Sequence, residues 1–149
     1  MSQSQSPKNR MLLVLGMHRS GTSAMAGMLA HLGVEFTERL VPADEDNARG
    51  YFEHADVWRI DQALLEALGS DWDDPATLPD QWQQTAAAQA ARARIAQVVA
   101  RDFAQAPLAG IKDPRMSRLM PLWLESLAQA GFAPAIVLVV RSPVEVAMS

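Results

Sequence analysis

Five apolar residues, Met11 to Leu15, run straight into the turn Gly16-Met17-His18-Arg19-Ser20-Gly21, and a helical pattern begins at once on its far side. An apolar run this short, with no polar alternation, is the mark of a strand buried on both faces, as in a parallel sheet. From Thr22 to Leu32 the residues Met25, Met28, Leu29 and Leu32 recur at helical spacing, with Gly33 placed as a C-cap. Strand, glycine loop and helix in this order predict an α/β fold whose ligand site lies beyond the carboxyl ends of its strands.

The alternation continues along the chain. Val57, Ile60, Leu64 and Leu68 predict a helix that stops at Gly69, and an alanine-rich segment without Gly or Pro predicts another from about Gln81 to Gln105. Leu108 to Ile111 is a second strand, running into Lys112-Asp113-Pro114-Arg115, and Leu119 to Ala130 is helical up to Gly131. Ala135 to Val140 is a third, wholly apolar strand with Arg141 at its end. Ser142 as N-cap, Pro143 at the first helical position and Glu145 closing a capping box announce a further helix. The sequence ends at Ser149 about two turns later, so the pattern predicts an α/β domain over 11–149 lacking its C-terminal portion. Met1 to Arg10, Ser/Gln-rich with Pro7, reads as a disordered tail without the apolar run of a signal peptide. No window approaches the roughly 20 apolar residues of a membrane span. The expectation is a soluble, cytoplasmic chain that makes no membrane contact.

Composition narrows the chemistry. At 49% hydrophobic, the 149 residues suffice to bury a single core. A formal charge of -4 offers no basic field for nucleic acid. The absence of cysteine removes disulfides, thiolate catalysis and Cys-ligated zinc. The charge is also uneven. Glu35 to Asp80 holds 13 acids and 3 bases, a charge of -10, and the remainder holds 10 bases and 4 acids, a charge of +6. Basic flanks around an acidic, solvated middle suggest an anion site assembled from residues that meet in space.

Three polar clusters follow the three strands: Gly16 to Ser23, Lys112 to Arg115, and Arg141 to Ser149. A parallel sheet brings such clusters to one edge. The first has the frame Gly-x-x-x-x-Gly-Thr-Ser, in which backbone N–H groups and a helix N-terminus attract an anion. It departs from the Walker pattern in one place: Thr22 stands where that pattern has Lys, and the cation is Arg19. His18 and His31 are too isolated for metal ligands, and no spacing of His, Asp and Glu resembles a metal site. Trp58, Trp72, Trp82 and Trp123 are candidates to stack on a base or sugar; for Trp58 and Trp123, set in helical patterns, core packing is the better assignment.

Leu15-Gly16-Met17-His18-Arg19-Ser20-Gly21-Thr22-Ser23 resembles the 5'-phosphosulfate loop of sulfotransferases that use 3'-phosphoadenosine 5'-phosphosulfate (PAPS). Val139-Val140-Arg141-Ser142-Pro143-Val144-Glu145-Val146-Ala147-Met148-Ser149 is similar to the 3'-phosphate motif of the same family, an Arg at a strand end and a Ser eight residues on. The resemblance implies a three-layer, P-loop-like α/β fold with a mainly parallel central sheet. It implies sulfuryl transfer from PAPS to a hydroxyl or amine of a small-molecule or carbohydrate acceptor, with adenosine 3',5'-bisphosphate as product and no metal ion. Arg19, Ser20, Gly21, Thr22 and Ser23, beside His18, would hold the 5'-phosphate; Arg141 and Ser149 would hold the 3'-phosphate. Lys112 and Arg115 are expected to line the same anion pocket, an internal pair with Asp113 being the alternative.

An acceptor hydroxyl also needs a base. Soluble animal and plant members place a His two residues beyond a strand-end Lys, and here that position is Pro114. Other members use a Glu after the first helix, and Gly50-Tyr51-Phe52-Glu53-His54 resembles that stretch. Glu53 is therefore the expected base, with His54 and Asp113 behind it. Two other readings compete: a kinase or NTPase with a degenerate phosphate loop, which would need magnesium and ATP, and a non-catalytic nucleotide-binding module.

Overall fold

A computed structural model describes residues 9–43 and 50–149. The elements run β1 (Asn9–Leu15), α1 (Thr22–His31), α2 (Ala55–Ala67), a short 3-10 turn (Trp82–Gln84), α3 (Ala86–Asp102), β2 (Leu108–Lys112), α4 (Met116–Gln129), β3 (Phe132–Leu138) and α5 (Pro143–Ala147). The fold is α/β, with a three-stranded parallel sheet in the order β2-β1-β3 flanked by helices. Because β1 is central, its carboxyl end and the glycine turn behind it lie between the ends of the other two strands. Isolated bridges Glu35 to Ala109 and Glu53 to Lys112 bring two further stretches of chain alongside β2.

The core lies between the sheet and the helices α2, α3 and α4. Met11, Leu13 and Leu15 of β1 pack there with Ile60 and Leu64 of α2, Ile95 and Val99 of α3, and Leu119 and Trp123 of α4. α1 packs separately against β1 and β2.

Several boundaries and faces differ from the sequence-based expectations. Asn9 and Arg10 belong to β1 rather than to a tail: Arg10 N–H donates to the Pro107 carbonyl at 3.0 Å and Asn9 Nδ2 to the Ala104 carbonyl at 3.3 Å. Met1 to Lys8, the rest of the expected tail, lie outside the described residues. In α1 the buried positions are Thr22 and Ala26, whereas Met28 and Leu32 are exposed. The small side chains let α1 approach closely, with Phe52 Cζ 3.5 Å from where a Cβ on Gly27 would stand.

The helix expected from Gln81 is interrupted. Gln81 adopts the left-handed conformation, Trp82 turns into the core, and α3 starts only after Thr85, whose Oγ1 accepts the Ala88 N–H at 3.2 Å. α4 begins at Met116, three residues before the first expected position, because Asp113 accepts the Arg115 N–H and turns the chain there. β3 is set by its register against β1, Asn9 opposite Phe132 through Leu15 opposite Leu138, and it is an edge strand. Its side chains are correspondingly less covered than expected, Ile136 and Leu138 being exposed. Ser142 makes no side-chain cap bond, and Glu145 forms no capping box but accepts Arg141 Nε at 3.2 Å.

Candidate functional site

The glycine turn after β1 is tightly shaped. Gly16 has φ 152°, and a Cβ there would lie 2.5 Å from the Val139 carbonyl oxygen, so no other residue fits beside β3. Ser20 N–H and Oγ both donate to the Met17 carbonyl, at 3.1 and 2.6 Å, closing the loop on itself. Arg19 sits at φ 66°, a left-handed conformation that a non-glycine residue holds only under constraint. Gly21 caps α1 and supplies no side chain to it, so the first-turn N–H groups of this ten-residue helix are left for an outside partner.

A cavity of about 480 Å³ opens in front of that helix end. His18, Arg19, Ser20, Gly21, Thr22 and Ser23 line it, and so do Lys112 from the end of β2, Arg141 and Ser149 from beyond β3, and Glu53. The cavity thus gathers the residues of the glycine turn, Lys112, Arg141, Ser149 and Glu53 at one place. Arg19 Nη2 donates to the Ser149 carbonyl at 2.8 Å, Arg19 Nε lies 3.4 Å from Ser149 Oγ, and Arg141 Nη1 donates to the Arg19 carbonyl at 3.2 Å. Residues from the two motifs, Arg19 and Ser149 being 130 positions apart, are therefore in direct contact.

Glu53 is buried and doubly paired: Lys112 Nζ donates to its Oε1 at 2.7 Å, and Arg115 Nη1 lies 3.7 Å from its Oε2. Lys112 Nζ also donates to the Tyr51 carbonyl at 3.0 Å, which Ser23 Oγ reaches at 3.1 Å. Tyr51, which sequence reasoning did not single out, thereby joins the start of α1 to the Glu53 segment and lines the cavity.

His54 is not part of this site. It caps α2, with Nδ1 accepting the Asp56 N–H at 3.1 Å, and its Nε2 faces Asp102 Oδ2 at 2.8 Å. An Nδ1 that accepts leaves the proton on Nε2, so both nitrogens are committed to structure. Hydrogen bonds from Arg101, with the His54 contact, hold Asp102 down to about 2, so it remains a charged partner. The assignment of His54 as reserve base is corrected on this ground.

Arg115 does not line the cavity either. Its guanidinium is buried over the Trp58 ring at 5.3 Å and donates to Asp113 Oδ1 at 3.1 Å and to Gln62 Oε1 at 3.0 Å. The internal Arg115 to Asp113 pair is the alternative that formed, whereas Lys112 pairs with Glu53 instead of Asp113. Of the four tryptophans, Trp82 and Trp123 are core residues, Trp58 carries Arg115, and only Trp72 is substantially exposed.

Beneath the site are two fully buried carboxyls. Burial, reinforced by the Glu53 carboxylate, pushes Asp113 up to about 6. Burial and the neighbouring Asp113 push Asp61 well above the usual carboxyl range, although Trp123 Nε1 donates to its Oδ1 at 2.9 Å. Asp61 occupies the buried face of α2, and an acid in the apolar stripe beside Ile60 and Leu64 was the sequence signal that could have marked it. His18 is held down to about 4, first by burial and then by Arg115 and Lys112, so it is neutral at pH 7. Among the described residues no group of His, Cys, Asp and Glu is arranged to hold a metal ion, and no helix is long and apolar enough to cross a membrane.

Comparison of the chain with protein-family models, with curated proteins and with solved structures finds no match.

Proposed function

We propose that this chain is a PAPS-dependent sulfotransferase domain. The observation that carries the reading is the convergence of Arg19, Lys112 and Arg141, from behind three different strands, with the uncapped N-terminus of α1 and the Glu53 carboxylate on one cavity. Such a site suits a ligand with two separate anionic groups beside a group that loses a proton. Under this reading the strands and helices belong to a three-layer, P-loop-like fold, and the acceptor is a hydroxyl or amine of a small molecule or sugar.

The donor supplies a sulfuryl group on a phosphate leaving group. Arg19 and the amides of Ser20, Gly21 and Thr22 hold the 5'-phosphate, and Arg141 with Ser149 holds the 3'-phosphate. Glu53 takes the proton of the acceptor hydroxyl as its oxygen bonds to sulfur. The sulfur–oxygen bond to the phosphate breaks, and its electron pair stays on the phosphate, where Arg19 and Lys112 offset the charge. Lys112, bonded to Glu53 in the structure, is placed to turn to that oxygen and leave the carboxylate open.

The test is calorimetric titration with adenosine 3',5'-bisphosphate, AMP, ATP and ATP with magnesium. The expected result is preference for the bisphosphate, with Arg141→Ala and Arg19→Ala each weakening it by at least ~10-fold, the loss of one charge-assisted hydrogen bond. Preference for ATP with magnesium would replace the reading with the kinase one. Binding of the bisphosphate without sulfate transfer to any hydroxyl or amine acceptor would leave a nucleotide-binding module.

A further inference from the structure

Beneath the cavity the buried charges do not balance. Glu53, Lys112, Asp113 and Arg115 are all buried, as is Asp61 on the inward face of α2, and Asp61 and Asp113 are 0% exposed. Three carboxyls against two cations leave one surplus negative charge away from water, and an unpaired buried charge is strongly unfavourable. The other titratable groups that interact with these cations supply no positive charge. His18, repelled by Arg115 and Lys112, is neutral at pH 7, and Asp71, which Arg115 also influences, is itself acidic and exposed.

The hydrogen bonds show which of the three carboxyls are held as carboxylates. Lys112 Nζ donates to Glu53 Oε1 at 2.7 Å. Arg115 Nη1 donates to Asp113 Oδ1 at 3.1 Å and lies 3.7 Å from Glu53 Oε2, so one guanidinium nitrogen serves both groups. The Arg115 backbone N–H donates to the same Asp113 oxygen at 2.9 Å, and Arg115 Nε is taken by Gln62 Oε1 at 3.0 Å. Asp61 differs from both. Its bonded partner is the neutral indole of Trp123, which donates to Oδ1 at 2.9 Å.

The second oxygens of Asp61 and Asp113 are buried and bond to no described group. Buried polar atoms are nearly always paired, and a protonated carboxyl supplies an O–H donor that a carboxylate lacks. Burial and the adjacent Asp113 carboxyl both favour the neutral form of Asp61.

We infer that Asp61 keeps its proton in the folded chain and is a positioning residue for Glu53, acting through the charge balance of the cluster. With that proton in place, Glu53 and Asp113 match Lys112 and Arg115 charge for charge. When Lys112 turns to the leaving oxygen, Arg115 alone faces two carboxylates. The acceptor O–H bond then breaks, its electron pair goes to the bond with sulfur, and its proton goes to Glu53 and restores neutrality. An ionised Asp61 would leave the cluster one charge negative both before and after this step. The part played by Glu53 rests on the transferase reading, whereas the Asp61 proton does not.

Infrared spectroscopy of the full chain in D2O at pH 7 is the test, because ordinary Asp and Glu are ionised there and a retained proton gives the C=O stretch of a carboxylic acid. One such band should be present, and Asp61→Asn should remove it. The folding equilibrium constant of the unmodified chain, relative to that of Asp61→Asn, should fall about tenfold per pH unit between pH 6.5 and 7.5 in urea titrations, the linkage of one proton. Lys112→Met should show a second acid band, because loss of a cation recruits a second proton. Absence of the band from the unmodified chain, its survival in Asp61→Asn, or a ratio independent of pH would overturn the inference. Failure of Asp61→Asn to fold would do the same, since the amide matches the neutral acid in shape and charge. A folded Lys112→Met without the second band would refute the charge balance that links Asp61 to Glu53. Failure of adenosine 3',5'-bisphosphate to bind would remove the role of Glu53 as base and leave the Asp61 proton standing.

Discussion

At His18 and Asp113, burial disfavours the charged form of each group and so gives stability opposite dependences on pH. The folded chain holds Asp113 near 6 against a usual 3.8, so between these pH values it keeps a proton that the unfolded chain releases. The contribution of that group therefore declines as pH rises from about 4 to 6. His18, held near 4 against a usual 6.5, refuses a proton that the unfolded chain accepts, and its contribution declines as pH falls from 6.5 to 4. The two slopes oppose one another over most of that range. Urea midpoints across pH 4 to 7 should show Asp113→Asn gaining on the unmodified chain as pH rises through this window, and His18→Asn gaining as pH falls. Glu53 and Lys112 are a different case, since each stabilises the other's buried charge. Lys112→Met and Glu53→Gln should each destabilise by roughly 3 kcal/mol, and the double variant by clearly less than their sum, in a denaturant double-mutant cycle.

Among the elements, the glycine stops read from the sequence, Gly33, Gly69 and Gly131, formed, while the N-cap read at Ser142 did not. Thr85 bonds the Ala88 amide and holds the start of a 17-residue helix, whereas the Ser142 side chain makes no cap bond. Thr85→Ala should cost about 1 kcal/mol and lower Tm by a few degrees, while Ser142→Ala should stay within ~0.5 kcal/mol of the unmodified chain. The pairing of each strand with the loop behind it was legible because Gly16 and the Lys112-Asp113-Pro114-Arg115 run punctuate short apolar stretches. The limits of β3 were not: it begins at Phe132, ahead of Pro134, and stops at Leu138, because the register against Asn9 to Leu15 decides them. Alanine-rich composition extended α3 back to Gln81, but burial of Trp82 outweighed that local preference and put Gln81 in the left-handed region. The gathering of His18 to Ser23 on one cavity could be read from spacing alone. The separation of Glu53 from its neighbour His54 could not, because the bridge to Lys112 turns one toward the cavity while Asp102 draws the other away.

For the whole molecule, protection from exchange should follow position in the sheet. β1 is hydrogen-bonded on both sides, β3 pairs with β1 on one side, and α5 buries no residue at all. Hydrogen-exchange mass spectrometry should find amides of β1 slowest and those of α5 fastest, with adenosine 3',5'-bisphosphate slowing 141–149 most. Arg141→Ala should remove that ligand-induced slowing. The links from α5 and its flanks back to the glycine turn after β1 are few, chiefly Arg19 to Ser149 and Arg141 to the Arg19 carbonyl. A ligand that engages both motifs must therefore complete the packing of this end of the chain as it docks. Its association should release more heat than its polar contacts alone supply, offset by lost chain entropy, and affinity should drop steeply on warming well below the temperature at which β1 itself unfolds.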